Sequence, residues 1–549
     1  MLRIMKRKYQ YIATLTLLLS ATGCNEKDFL TQNDPNKVTE TMFWKDENSV
    51  LSALAATYSP LRPSLYGYWG AFTGIQDINS LGDDVFTIPG GEPATWGVAS
   101  FTNDENNSDL NDIFNNLYKV VHRANLLLSK IDAVGMDGAK KAQYTAETKF
   151  LRGLAYFILA ANWGGVPLRT APVETTDGYA APCATREDVW KHVISDLSEA
   201  AAGLPPARDA KEKGRATSGA ALAYLGKAYM FTEDYTKAET TFDLLNAAPY
   251  AYDLVPDFED NFTDKNEFNV ESVFEWTFAP LGDQYGAWSV ESANSPMYNY
   301  LPQFIGPPSA GGWFKYVPSN YMVREFVKEP RPAGADTKYD KRMYASMMWK
   351  RSVLGEPDAT FYDNQSFDRM WTSAISTIVR LHPGTKLDTV TYGRFLIKKG
   401  TNAWRNVKDA DNYWGATPST ANFRAFRFAE VLLLRAEAAV QNGHNGKALD
   451  DINRIRRRAG LPDKTAGELP GKPELLKEID HQKLLEMFFE QNRVYDLRRW
   501  HKSAGELSQV LQAREKQGAN VFGAKHYFFP IPASELKSNP KADQHSLWK

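Results

Sequence analysis

Between Gly214 and Pro249, the residues Leu225-Gly226, Tyr229, Ala238 and Phe242 sit at the spacings of a tetratricopeptide unit, with Asp234-Tyr235 at its turn. Small Gly226 and Ala238 let two antiparallel helices approach closely. Leu225, Tyr229 and Phe242 then fill the seam between them. One such pair cannot bury its own apolar face, so the chain must supply further pairs to stack on it. A looser relative spans Phe428 to Arg456. There Leu434, Ala448 and Ile452 fit if the turn from Asn442 to Asn445 is one residue longer. Two units are fewer than a free solenoid needs, and helices over Leu110–Asn162 and Thr185–Leu204 are expected to complete the stack.

Helical periodicity supports this. Phe43, Trp44, Val50, Leu51, Leu54 and Tyr58 recur at helical spacing and predict a helix over Glu40–Tyr58, with Trp44 in the core. Helices are predicted over Leu110–Asp132 and Ala139–Asn162, the second ended by Gly164-Gly165 and Pro167. Thr185 is a good N-cap, and Glu187 and Asp188 suit the first turn it opens. From Tyr250 to Ala425 the pattern breaks into Pro, Gly and aromatics, with strand-like runs at Ser272–Phe278 and Tyr392–Lys398. A structureless loop of that length is not credible, so it reads as a packed sub-region on the helices. The expected fold is mostly α: a tetratricopeptide-like helix-pair scaffold with a large irregular, loop-rich insert. It divides into N-terminal helices and loops (39–249), the insert (250–425) and a C-terminal helical part (426–549).

The N-terminus sets the compartment. Arg3, Lys6, Arg7 and Lys8 precede a short apolar run, Tyr11 to Ser20, which is too short to span a bilayer core of ~30 Å as a helix. Ala21-Thr22-Gly23 then precede Cys24. Residues 1–23 read as a secretory signal. The cysteine placed directly after small residues resembles a bacterial lipobox, with Ala21 where Leu is usual. An ordinary cleaved signal is the other reading. Lipidated at Cys24, the chain would be tethered through residues 24–38, since each buried acyl CH₂ contributes ~0.8 kcal/mol. Asn25-Glu26-Lys27-Asp28 resembles the surface-export signal of Bacteroidetes lipoproteins.

Composition removes several function classes. A net charge of −2 over 549 residues, with Lys and Arg scattered, points away from nucleic acid. Cys24 and Cys183 are the only cysteines, so neither a disulfide framework nor a cysteine zinc site is available. The eight histidines show no metal-ligand spacing, and no G-x-S-x-G, H-E-x-x-H or P-loop pattern occurs. Asn103 to Asp109 is acidic but lacks the glycine of an EF-hand, and reads as a solvated turn. The expectation is a non-catalytic chain without cofactor or metal.

A run of motifs resembles the SusD/RagB family over nearly the whole mature length. Phe29-Leu30 with Pro35, then Phe43-Trp44, open it. Arg123-Ala124-Asn125, Phe150-Leu151-Arg152, Asp196-Leu197 and Gly214-Arg215-Ala216-Thr217 follow in order. Glu430, Ile452-Asn453 with the following IRRRAG, and Asp496-Leu497-Arg498-Arg499-Trp500 continue it. Phe529-Pro530-Ile531-Pro532 and Asn539-Pro540 close it. His481-Gln482-Lys483 and Gln491 depart from the usual pattern at positions read as scaffold. The resemblance implies a lipid-anchored, surface-exposed outer-membrane protein that binds a glycan, without catalysis or cofactor. It implies a SusC-like TonB-dependent transporter as partner.

A glycan binder needs flat π-faces for the C–H side of a sugar, and Asp, Asn or Gln for its hydroxyl rim, on loops held by a rigid scaffold. Two stretches fit. Tyr66 to Phe101 offers Tyr68, Asp77, Asn79, Asp83 and Trp96. Trp288 to Tyr316 offers Trp288, Glu291, Asn294, Tyr298, Asn299, Tyr300, Gln303 and Trp313. Trp96, Tyr298 and Trp313 are the candidate stacking platforms, although most tryptophans are core residues. Residues 63–118 contain no Lys or Arg, so a site formed there alone should disfavour a polyanion. Peptide capture, as in RagB-type relatives, is the alternative ligand reading. A purely structural tetratricopeptide adaptor explains the repeats but neither the aromatic insert nor the anchor.

Overall fold

The computed structural model describes residues 43–61, 74–88, 93–173, 176–279, 299, 301–329, 331–362, 364–381, 394–404, 419–490 and 492–549. The expected signal and tether, residues 1–38 with Cys24, lie outside them. The first described helix, α1 (Glu47–Tyr58), is followed by α2 (Gly74–Asn79), strand β1 (Val85–Thr87) and α3 (Pro93–Ala99). The scaffold continues with α4 (Ser108–Lys130), α5 (Gly138–Trp163), α6 (Arg186–Gly203), α7 (Ser218–Phe231) and α8 (Tyr235–Leu245). All five begin where a short polar side chain meets the orphan backbone donors of a first turn. Asn107, Asp137, Thr185, Thr217 and Asp234 each accept the N–H three residues on. α5 stops at Gly164, whose φ of +74° is in the left-handed region.

The insert contains β2 (Ser272–Trp276), β3 (Tyr316–Pro318), α9 (Asn320–Val327), β4 (Met347–Trp349), α10 (Phe367–Leu381) and β5 (Phe395–Ile397). It closes on β6 (Phe423–Arg427), after which α11 (Phe428–Gln441), α12 (Asn445–Arg458), α13 (Lys472–Glu486), α14 (Arg493–Trp500) and α15 (Ala504–Ala513) return to the scaffold.

The helices stack in sequence. α4 packs on α5, α5 on α6, α6 on α7, α7 on α8, α8 on α11 and α11 on α12, while α13 covers both α11 and α12. The small-residue argument holds at atomic detail: a Cβ on Gly226 would lie 2.5 Å from the Phe242 ring, which is wholly buried. Burying such a ring contributes roughly 1.5–3 kcal/mol. The second unit needs no longer turn. Both connections have three residues, Thr232–Asp234 and Asn442–His444, with Glu233 (φ +61°) and Gly443 (φ +84°) at the same place. Ala448 and Ile452 take the places of Ala238 and Phe242. The residue matching Gly226 is Ala436 rather than a neighbour of Leu434, so the small-residue contact and not the leucine sets the alignment.

The insert is a packed body tied down at both ends. β2 and β6 pair antiparallel, from Ser272↔Arg427 to Trp276↔Phe423. Buried Arg427 bonds Glu486 at 2.9 Å and Glu490 at 2.6 Å, fastening the ribbon to α13 and the segment after it. Inside, Met322, Phe326, Trp349 and Ile397 form a core completed by Leu484, Leu485 and Phe488 of the scaffold. The inner face of α10 (Phe367, Met370, Ala374, Ile378) joins Phe86 and Val317 in another. The expected strands are present but shorter, 272–276 and 395–397. Trp44 is partly buried against the main core.

Candidate ligand-binding face

Pairing of β1 with β3 brings the two aromatic stretches together. The register is Val85↔Pro318, Phe86↔Val317 and Thr87↔Tyr316, extended by Ile88 N–H donating to the Lys315 carbonyl at 2.9 Å. α3, which carries Trp96, packs on β1 and α2. Trp313 stands three residues ahead of β3, delivered by a tight turn at Gly311-Gly312. Gly311 has φ +83°, and a Cβ on Gly312 would fall 2.0 Å from the Gly306 carbonyl oxygen. Only glycine allows that approach.

Trp313 is half-buried. Its ring meets Phe304 edge-on at 5.1 Å, and its backbone N–H donates to the Gln303 carbonyl at 2.6 Å. The Lys315 ammonium lies 5.0 Å from the Trp313 ring centroid, a cation–π contact. Trp96 is also half-buried, and its carbonyl accepts from both the N–H and the hydroxyl of Ser100. Next to it in sequence, buried Thr95 donates to Asp109 at 3.1 Å. Both candidate platforms are therefore partly buried residues rather than fully enclosed ones.

The acidic candidates are placed differently. Asp77 is buried and accepts from the Tyr316 hydroxyl at 3.3 Å. Burial pushes its carboxyl well above the usual carboxylate range, and the neighbouring Asp109 charge pushes it further. Asp83 is a correction to the ligand-loop expectation. It is fully buried, with Arg493 and Arg514 on both its oxygens. Burial opposes its charge, but the two guanidiniums override it and hold the carboxyl well below its ordinary value. Its lone pairs are spent within the scaffold. Asn79, Asn299 and Gln303 are buried too. Tyr68, Trp288, Glu291, Asn294, Tyr298 and Tyr300 lie outside the described residues.

Sequence reasoning missed Lys315. It places a cation beside Trp313, so the face is not the cation-free surface that residues 63–118 alone suggest. Strand alternation does not give the pairing, because Phe314 between the two has φ +53° and breaks the extended run ahead of β3. A small cavity near the insert's ends, lined by Asn261, Asn299, Lys399, Ser419 and Glu490, holds about 30 Å³. That is room for a water, not a sugar ring. Among the described residues no group of three or more His, Cys, Asp or Glu side chains is placed to hold a metal, and no helix is long and apolar enough to cross a membrane.

A helix-pair scaffold, an insert whose ends pair in a ribbon, and partly buried tryptophans beside a two-stranded edge together define the class. A family model described as the SusD family matches residues 270–548, and the chain belongs to that family. A second, described as starch-binding associating with outer membrane, matches residues 90–230. The chain is 24% identical to SusD-like protein P38 of Formosa agariphila over 568 aligned positions, covering 98% of this chain and 99% of that one. Its fold matches a SusD superfamily protein of Bacteroides vulgatus with a TM-score of 0.75 and 28% identity, over 92% of this chain and 99% of the other. A laminarin-binding SusD-like protein shares the fold with a TM-score of 0.71 at 23% identity, over 92% of this chain and 100% of that one.

Proposed function

We propose that the chain is a surface lipoprotein, anchored at Cys24, that captures a glycan and delivers it to a SusC-like TonB-dependent outer-membrane transporter. The observation that carries this reading is Trp313: a partly buried residue, held by a glycine turn, with Lys315 above it and β3 fixing its backbone. A rigid aromatic of this kind offers a π-face to a sugar at little entropic cost. Trp96 on α3 is the second platform. Tyr68, Trp288 and Tyr298 remain candidates on sequence grounds. The family description as starch-binding at the outer membrane, and the laminarin-binding protein that shares the fold, support a saccharide as the ligand. The same family description supports capture over catalysis. The buried acids Asp77 and Asp83 act beneath the face, one bonded to Tyr316 and the other holding Arg493 and Arg514.

The test is retention of the soluble chain, beginning after Cys24, on a panel of immobilised polysaccharides. Trp96→Ala, Tyr298→Ala and Trp313→Ala run beside it, with circular dichroism to establish the fold. Retention of one glycan that a tryptophan variant loses supports the reading. Retention on none, with binding to peptides instead, overturns it.

A further inference from the structure

Three consecutive arginines end α12, and the structure divides them. Arg456 turns inward to Glu329 and Glu478, at 2.6 and 2.8 Å. Arg458 also turns inward, to Glu271 at 3.0 Å and to Glu486, with its side chain only 4% exposed. Its Nε–H is buried without a hydrogen-bond partner. Arg457 turns out, 59% exposed, and meets only Asp463 at 3.1 Å, itself at the surface.

Beside Arg457 and Arg458 lies an open groove of about 470 Å³. Arg454 and Lys341 line it as well, with Leu254 and Pro256 on another wall. Lys341 comes from the insert, whose backbone N–H at that residue donates to the Ala459 carbonyl just past α12, at 3.2 Å. The groove thus sits where the scaffold, the insert and the segment before β2 meet. It is lined by four cations and one carboxylate, Asp253.

The dipole of α12 favours arginines in its last turn. It does not account for Lys341, which another part of the chain supplies, nor for the space between the cations. Arg458 is held by buried carboxylates, but the pairs that occupy the other three cations are exposed and weak. Arg454–Asp253, Arg457–Asp463 and Lys341–Asp336 each join partly exposed groups at 2.9 to 3.1 Å. Such pairs between solvated groups are weak, so a ligand oxyanion displaces them at little cost. Guanidinium forks match carboxylate and sulfate oxygens geometrically. The groove is open, a surface shelf rather than an enclosed site, and its apolar wall suits the C–H face of a ring.

We infer that this groove is a second saccharide site, taking an acidic sugar unit: a hexose ring bearing a carboxylate or sulfate. The ring rests on the reading of the chain as a saccharide-capture protein; the charge rests on the groove alone. The site is separate from the Trp313 face and has the opposite chemistry, cations first and an apolar wall second.

The probes are glucuronate, glucose 6-sulfate and glucose, followed by saturation-transfer NMR on the soluble chain, with inorganic sulfate, which carries no protons, read as a competitor against glucuronate. Arg457→Gln with Lys341→Gln removes the two most exposed cations, and Trp313→Ala alters only the other face. The expected result is saturable binding of both acidic sugars, weakened about tenfold in the double variant, unchanged in Trp313→Ala, and weakened by salt as a surface ion contact must be. Glucose should not compete. Equal binding of acidic sugars to the double variant, or no binding to the wild-type chain, overturns the site. So does inorganic sulfate binding as tightly as both sugars, because the ring then contributes nothing. If the groove fails while a polysaccharide is still retained through Trp313, glycan capture stands alone. If acidic sugars bind the groove and no polysaccharide is retained, the aromatic-face reading is the one that fails.

Discussion

Gln517 serves Thr87 as a strand would. The Thr87 N–H donates to the Gln517 side-chain oxygen at 3.0 Å, and the Gln517 amide donates to the Thr87 carbonyl at 3.0 Å. One side chain thus satisfies the edge of β1 that β3 leaves open. Next to it, Lys516 donates to the Ala99 carbonyl at 2.8 Å, at the end of the helix that carries Trp96. Gln517→Ala should leave two backbone groups unpaired and cost ~1–3 kcal/mol. Urea unfolding measures this, and Gln517→Glu should cost at least as much because it sets an acceptor against the Thr87 carbonyl. An unchanged midpoint in both would show that water replaces the side chain.

Gly226→Ala tests which of two opposed effects wins. Alanine improves helix propensity by ~1 kcal/mol, but the added methyl must enter the space of a fully buried Phe242 ring. Overpacking of this kind costs ~1–3 kcal/mol, so net destabilisation is expected. Phe242→Leu should relieve part of it. In a double-mutant cycle the pair should lose less than the sum of the single losses.

His481, on α13, bridges to the insert. It bonds Glu325 of α9 at 2.8 Å and meets Glu329 at 3.4 Å. Burial opposes its charge, but the bonds to Glu325 and Glu329 raise its pKa to about 9. The folded chain therefore holds this proton more tightly than the unfolded one, whose value is ~6.5. The stabilisation is fully present below about pH 6.5 and is lost as pH rises through about 9, with a size on the order of 2–3 kcal/mol. His481→Gln should be clearly less stable than wild type at neutral pH, and the gap should shrink above pH ~9. A gap independent of pH would mean that the imidazole contributes by packing alone.

Trp313→Ala should reduce glycan affinity at least about tenfold, equivalent to ~1.4 kcal/mol, by removing the platform under Lys315. Lys315→Gln should leave a neutral glycan within about twofold, since the ring remains. Affinity electrophoresis with both variants reads the difference. Equal losses in the two would assign the contact to the cation instead.

The helical scaffold was legible because its signals are local. Asn107, Asp137, Thr185 and Asp234 each mark a helix start from within one turn, and boundaries fell within a few residues of those expected for α4 to α6. The seam of Gly226, Ala238 and Phe242 was readable for the same reason. What could not be read depends on partners far along the chain. Asp83 looked like a loop acid until Arg493, 410 residues away, proved to hold it. Asp77 was masked in the same way by Tyr316. The turn after Gln441 was misjudged because leucine spacing was weighed above small-residue contact. Of the candidate platforms, Trp96 and Trp313 fall on partly buried positions, and Lys315 reaches the Trp313 ring from outside the cation-free run of residues 63–118.

The β2–β6 ribbon gives the insert the properties of an exchangeable cassette. Its two ends leave the stack side by side, so the helices register one closed loop whatever its contour length. Entropy alone charges little for lengthening such a loop, about 0.6 kcal/mol per doubling. Sequence far from the ribbon can then vary while the helix stack stays as it is. The limit is set at the base: any replacement cassette must cover Leu484, Leu485 and Phe488, and must bond the Glu486 oxygen that Arg342 now meets, the other three oxygens of Glu486 and Glu490 being met by Arg427.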